Sequence, residues 1–159
     1  MQYLNFPPGY LRIDFSQDGL QSITLNPEKR RGSAKLMTPE RKKIFRQLRK
    51  YFCKRKINFK VKIDWQGIPD FTRKVLEETK RIPYGEVRTY NDIVERIGVK
   101  SSARAVGQAL ARNPFPIVIP CHRVIRKDGG LGGFSWGLKW KKTLLELEGR
   151  EIVEGKVRQ

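Results

Sequence analysis

Cys121 and His122 are the residues best equipped for chemistry, standing side by side in Pro120-Cys121-His122-Arg123-Val124. A thiol attacks as thiolate, and its ordinary pKa of about 8.5 leaves little of that form at neutral pH. An adjacent imidazole, with Arg123 and Arg126 close in sequence, could lower it. The pattern therefore offers nucleophilic attack by sulfur, with His122 as base. An apolar, β-branched run, Ile117 to Ile119, leads into the pair between Pro116 and Pro120. On an extended strand, adjacent side chains point to opposite faces, so contact between Cys121 and His122 needs a bend or a bridging water. By itself, the pair is also compatible with a buried cysteine that happens to precede a surface histidine. The second cysteine, Cys53, reads as a small buried hydrophobe. Two cysteines and one histidine cannot assemble a four-ligand zinc site of Cys and His, and neither metal nor cofactor is expected.

The net charge of +18, from 34 Lys plus Arg against 16 acids, points to a polyanionic partner. Nucleic acid fits better than an anionic membrane, because no long apolar segment or signal peptide is visible. The opening MQYLNFPPGY is too short and too polar for either. A cytoplasmic location is expected, or a nuclear one in a eukaryotic host, with thiols kept reduced.

The elements that must hold these residues follow from pattern and punctuation. Tyr10 to Leu25 reads as a hairpin turning at Asp18-Gly19. Asn26 to Met37 is polar and basic and reads as a mobile loop. Thr38-Pro39 opens a helix with Ile44, Leu48 and Phe52 on one face and Cys53 beside it. Phe59 to Ile63 alternates like a short strand. Gly67-Ile68-Pro69 marks a division into residues 1–66 and 67–159. Asp70 is expected to cap a helix with Phe71, Val75 and Leu76 inward, broken at Pro83-Tyr84-Gly85. A short helix from Thr89 to about Ile97 stops at Gly98, and Ser101 or Ser102 caps another that runs to about Arg112. Helix, Gly-containing turn and helix is the helix-turn-helix pattern. Lys127 to Gly133 reads as a wing-like loop, and a final helix runs from Trp140 to Gly149. No internal repeat or low-complexity segment is present.

In the second helix of the pair, Arg104, Gln108 and Arg112 share one face while Val106 and Leu110 share another. Ala105, Gly107 and Ala109 lie between. Small residues let a backbone approach another surface closely. That surface could be a neighbouring helix or a narrow DNA groove, and spacing alone does not choose.

Pro120-Cys121-His122-Arg123-Val124 resembles the active-site signature of the O6-alkylguanine-DNA alkyltransferases. Arg104-Ala105-Val106-Gly107, Asn113-Pro114 and Pro116 precede it in the family's order. Gly129-Gly130 and Leu144-Leu145…Glu148-Gly149 follow at compatible spacing. The resemblance covers roughly Ile68 to Gly149, and the N-terminal lobe is similar only in outline. It implies an α+β fold: a small N-terminal β-sheet lobe with a helix, ribonuclease H-like in the family, then a mostly helical C-terminal domain similar to a winged helix-turn-helix. It also implies direct repair of O6-alkylguanine, and of O4-alkylthymine in some cases, by irreversible transfer of the alkyl group to Cys121 after base flipping. The implied partner is double-stranded DNA with an alkylated guanine, met in the minor groove by a monomer.

The resemblance carries roles residue by residue. Cys121 matches the alkyl acceptor, His122 the general base acting through a water, and Glu148 the carboxylate that orients it. Asn113 matches the hinge between recognition helix and active site. Tyr90 matches the residue that crowds the phosphate and protonates the leaving guanine. Arg104 matches the finger that fills the vacated stack, with Ala105, Gly107, Gln108, Arg112 and Arg123 expected at the DNA. Val124, Ser135 and Lys141 match positions around the substrate. Phe134 stands where relatives can have a Tyr, and Trp136 where a small Gly is frequent, which narrows the expected pocket. The alternative within the family is a lesion-binding alkyltransferase-like module, but those proteins typically carry Trp at the cysteine position. A Cys-His hydrolase would leave the DNA-reading elements unexplained.

Overall fold

Gly19 sets the geometry of the N-terminal hairpin. Its φ is +146°, and a Cβ there would collide with the Lys62 carbonyl, so only glycine allows the close approach. The computed structural model describes residues 2–6, 9–26 and 38–158, and divides into two compact units, Met1–Trp65 and Gln66–Gln159. In the first unit, β1 (Gln2–Phe6), β2 (Gly9–Phe15) and β3 (Leu20–Leu25) form an antiparallel sheet in that order. Leu11 pairs with Leu25 and Ile13 with Ile23, so one face of the sheet presents aliphatic residues at period two. These residues and Leu20 are buried, as are Ile44, Leu48 and Tyr51 of α1 (Pro39–Phe52). Thr38 caps α1, its side chain accepting the Arg41 N–H, and Pro39 follows it into the first turn.

Several local expectations change here. β1 does not stand out in the sequence because its partner, β2, supplies the pairing. Cys53 is exposed: it closes α1 with a non-helical ψ of 23°, and the chain turns away from the apolar face. Phe59 and Ile63 are buried, but the segment makes only an isolated bridge from Ile63 to Leu20 and is not a strand. The loop expected at 26–37 lies, apart from Asn26, outside the described residues.

In the second unit, α2 (Asp70–Lys80) begins at Pro69 with no side-chain cap, so Asp70 contributes through its charge in the first turn rather than as the cap. β4 (Arg88–Thr89) runs into α3 (Tyr90–Ile97), which Gly98 closes with φ +64°. Ser102 caps α4 (Ala103–Ala111). The three helices pack on one another. A turn of 3-10 helix, Cys121–Arg123, leads into β5 (Val124–Ile125), which pairs parallel with β4. The last helix, α5 (Leu138–Leu147), starts two residues earlier than its sequence pattern suggests. A hairpin, β6 (Ile152–Val153) and β7 (Lys156–Val157), follows it. Ile125, Leu131, Leu145 and Val157 form a buried cluster, so this hairpin covers the end of α5. No helix among the described residues is long and apolar enough to cross a membrane.

Thr89 accepts from the Asp92 N–H while the Asp92 carboxylate accepts from the Thr89 N–H, a reciprocal cap that orients Tyr90 in the first helical position. Thr89→Ala should therefore cost about 1 kcal/mol of stability. Urea unfolding should show a lower midpoint with an unchanged slope, and an unmoved midpoint would contradict the role.

Candidate active site

Cys121 sits after a turn, not at the end of a strand. Ile119 donates to the Phe115 carbonyl at 2.8 Å, and Ile117 adopts φ +74°, uncommon for a β-branched residue. The chain then tightens again, with Cys121 N–H on Ile119 O and Arg123 N–H on Pro120 O. The bend leaves Cys121 only slightly exposed and His122 fully buried.

Asn113, just past α4, ties the helix to this turn. Its Nδ2 donates to Ile119 O at 3.0 Å and to Cys121 Sγ at 3.1 Å, while its Oδ1 accepts the Phe115 N–H at 2.9 Å. Cys121 is only 7% exposed. Burial pushes its thiol up, and the Asn113 hydrogen bond and Lys141 charge oppose this without overcoming it. The expected lowering by Arg123 and Arg126 is absent. Arg126 is exposed beside Asp128 and Arg123 faces a carboxylate.

That carboxylate is Glu148. Its Oε1 lies 2.7 Å from His122 Nε2 and accepts Arg123 Nη2 at 2.9 Å; its Oε2 accepts Arg123 Nε at 2.8 Å and Gly85 N–H at 3.0 Å. Burial alone would favour the neutral acid, but His122 and Arg123 outweigh it and hold the carboxyl well below the usual range. Burial pushes the His122 pKa down, against the pull of Glu148. Arg123 is 5% exposed, and its Nη1 donates to Ile82 O at 2.5 Å. Expected at the DNA, Arg123 is instead buried with all three guanidinium nitrogens engaged. Its clamp on Glu148 escaped sequence reasoning, as did the Gly85 N–H; the Pro83-Tyr84-Gly85 turn was legible only as a helix breaker.

A cavity of about 520 Å³ opens in front of Cys121, walled by Tyr90, Arg104, Gly107, Gln108, Leu110, Ala111, Gly133, Phe134, Ser135 and Trp136. Seven of the residues expected around substrate or DNA thus meet Cys121 at one surface. Tyr90 is fitted closely. Gly132, with φ +68°, leaves room for its hydroxyl, which would lie 2.8 Å from a Cβ there. Burial raises the Tyr90 pKa, and the nearby Cys121 adds to this. A Cβ at Gly107 would meet the Tyr90 ring at an ordinary 3.7 Å, so packing within the chain does not require glycine at that position.

Lys141 is fully buried, its Nζ donating to Val124 O at 2.6 Å and Gly133 O at 3.4 Å. Burial lowers its pKa to about 8, against the influence of Cys121. Val124 thus meets Lys141 through its carbonyl, and Ser135 Oγ donates to Ala111 O at 2.7 Å. Arg104, Gln108 and Arg112 are exposed, Ala105 is half-buried, and Arg112 and Ala105 lie outside the cavity wall. No group of three or more His, Cys, Asp or Glu residues among those described could hold a metal ion.

The DNA-binding domain model of 6-O-methylguanine DNA methyltransferase matches residues 70–150. The chain is 38% identical over 147 residues to the methylated-DNA–protein-cysteine methyltransferase of Methanosarcina acetivorans, covering 90% of this chain and 94% of that one. The protein of the same name from Methanothermobacter thermautotrophicus is 43% identical over 109 residues, which span 68% of this chain and 61% of the relative's length. Among solved structures, Mycobacterium tuberculosis OGT in complex with DNA superposes with a TM-score of 0.80 at 35% identity, covering 92% of this chain and 90% of that one. The matched model spans more than half of the sequence and includes Asn113, Cys121, His122 and Glu148, and the chain therefore belongs to the 6-O-methylguanine DNA methyltransferase family.

Proposed function

We propose that the chain repairs O6-alkylguanine in DNA by moving the alkyl group irreversibly onto Cys121. The observation that carries this reading is the placement of Cys121 Sγ at a cavity large enough for a base, held by Asn113 and backed by the His122–Glu148 pair. Sulfur attacks the alkyl carbon; the new S–C bond forms as the C–O6 bond breaks. The thiol proton passes through a water to His122, whose low basicity in the core keeps it neutral and ready to accept. Tyr90 gives a proton to the departing guanine. The thioether product has no bond that water cleaves readily, so one protein repairs one lesion.

The O6 atom of a stacked base lies beyond a buried thiol, so the base must be flipped out, at a cost of a few kcal/mol. Arg104, exposed at the cavity mouth, fits the role of filling the gap, with Gln108 and Arg112 on the same side of α4. Ala105 and the Gly107 that packing does not require favour close approach to the minor groove. We assign the chemistry to residues 67–159 as a winged helix-turn-helix, and read residues 1–66 as a ribonuclease H-like lobe. Ser135 would set the substrate side of the cavity, and Lys141 and Val124, buried and not part of its wall, would support it through the Lys141 Nζ–Val124 O hydrogen bond. Phe134 and Trp136 narrow the cavity against bulky adducts. The lesion-binding alternative has no use for Cys121 held by Asn113.

Intact-protein mass spectrometry after mixing with an O6-methylguanine duplex should show one methyl per protein, located by peptide mapping to Cys121. Several turnovers per molecule, or a label on Cys53, would overturn the proposal. Two further variants separate DNA handling from chemistry. Tyr90→Phe should slow reaction with both duplex and free O6-methylguanine, by roughly 10²–10⁴-fold if it is the general acid. Arg104→Ala should slow the duplex reaction alone, and equal losses on both substrates would refute its assignment as a finger.

The His122–Glu148 pair also makes the fold acid-sensitive. Below the ordinary carboxyl value of 4.5, unfolded chains take up a proton that folded Glu148 refuses, so stability present above that pH is lost as it falls. His122 works in the same direction below its ordinary 6.5. The melting temperature should drop on acidification through both values, and Glu148→Gln should remove the lower step. A melting temperature that rises on acidification would contradict the ionised, buried carboxylate.

A further inference from the structure

From Thr38 to Lys62 the chain carries eleven Lys and Arg residues against one acid, Glu40. The apolar stripe of α1, Ile44, Leu48 and Tyr51, is buried. At about 100° per residue, the opposite side of the helix consists of Lys42, Arg46, Arg49 and Lys50. All four are exposed, and Lys43 flanks them. Exposed Lys54, Arg55 and Lys56 continue the positive run past the helix end.

Among the described residues, none of these cations takes part in an ion pair. The other unit treats its helices differently: Arg73 pairs with Glu77 on α2, and Lys142 with Glu146 on α5, each four residues apart. On α1 the same spacing sets Lys42, Arg46 and Lys50 in a row of like charges, which destabilises a helix. A surface shaped for solubility or for ion-pair networks mixes the two signs. An unbroken row of one sign is compensated only when a polyanion covers it.

We propose that this face of α1 is a second DNA surface, gripping the phosphate backbone of duplex DNA through the N-terminal unit. The proposal rests on the reading of the chain as a DNA-repair protein. Residues 42 to 50 span about 12 Å of helix, a length along which duplex DNA carries about seven negative charges. The face has no aromatic residue to stack on single-stranded bases. Its one neutral neighbour of base-reading type, Gln47, is half-buried and accepts the Lys60 N–H. The grip would therefore be independent of sequence. An anionic membrane fits less well, because interfacial helices insert an apolar face and that of α1 is already buried.

The test is a salt titration of binding to undamaged duplex, with the full chain carrying Lys42→Ala, Arg46→Ala, Arg49→Ala and Lys50→Ala together. A control of equal charge carries Lys74→Ala, Lys80→Ala, Lys142→Ala and Lys156→Ala. The α1 variant should lose roughly one unit of salt slope per phosphate contact removed and at least about tenfold in affinity at low salt. The control should lose far less, and both should react with free O6-methylguanine at the parent rate. Equal losses in the two sets would reduce the effect to net charge and overturn the proposal. So would an unchanged slope in the α1 variant, or loss of binding to phosphatidylserine vesicles without loss of binding to duplex. An α1 variant that binds and repairs like the parent removes this inference alone. A parent chain that does not bind duplex removes the functional reading with it.

Discussion

The buried carboxylate of Glu148 is the constraint around which the C-terminal unit is arranged. It sits at the end of α5 and accepts from His122, from two nitrogens of Arg123 and from the Gly85 backbone. Three segments remote in sequence are thereby fixed to one point. A buried charge is tolerable only while its partners are in place, and removing one from such a set typically costs about 3–5 kcal/mol. The permanent charge of Arg123 has a further effect. It holds both carboxylate oxygens, while burial pushes His122 below its ordinary value.

The second constraint is the burial of the Cys121 sulfur. Burial favours the thiol, while Asn113 and Lys141 stand ready to favour the thiolate. On the single-turnover reading proposed above, a protonated sulfur would be spared from stray electrophiles. Lys141 can serve because its ammonium is itself uneasy in the core, its pKa lowered to about 8. It is anchored by the carbonyls of Val124 and Gly133.

The parts legible in the sequence were those encoded locally. Thr38-Pro39, Thr89 and Ser102 announce their helices because caps act within a single turn, and Asp18-Gly19 announces its hairpin for the same reason. The Cys-His motif and Glu148 were legible through family resemblance, not through spacing, since 26 residues separate His122 from Glu148. Elements whose reason lies elsewhere in the chain were not legible. β1 exists because β2 pairs with it, and β7 because Leu131 and Leu145 need a cover. Arg123 looked like a surface cation because nothing nearby in sequence reveals that Glu148 and the Ile82 carbonyl enclose it.

The seat of Tyr90 against Gly132 bears on how such a site can evolve. A side chain at position 132 would meet two costs, the strain of a φ of +68° and the tyrosine hydroxyl. Enlarging Gly132 while Tyr90 stays meets both at once. The first cost is independent of Tyr90, and the second falls only when Tyr90 is shortened or shifts. A lineage could lose the phenol and later recover it, because the space is kept open by backbone conformation. The glycine is thus a stored memory of the hydroxyl, held in a dihedral angle rather than in a contact.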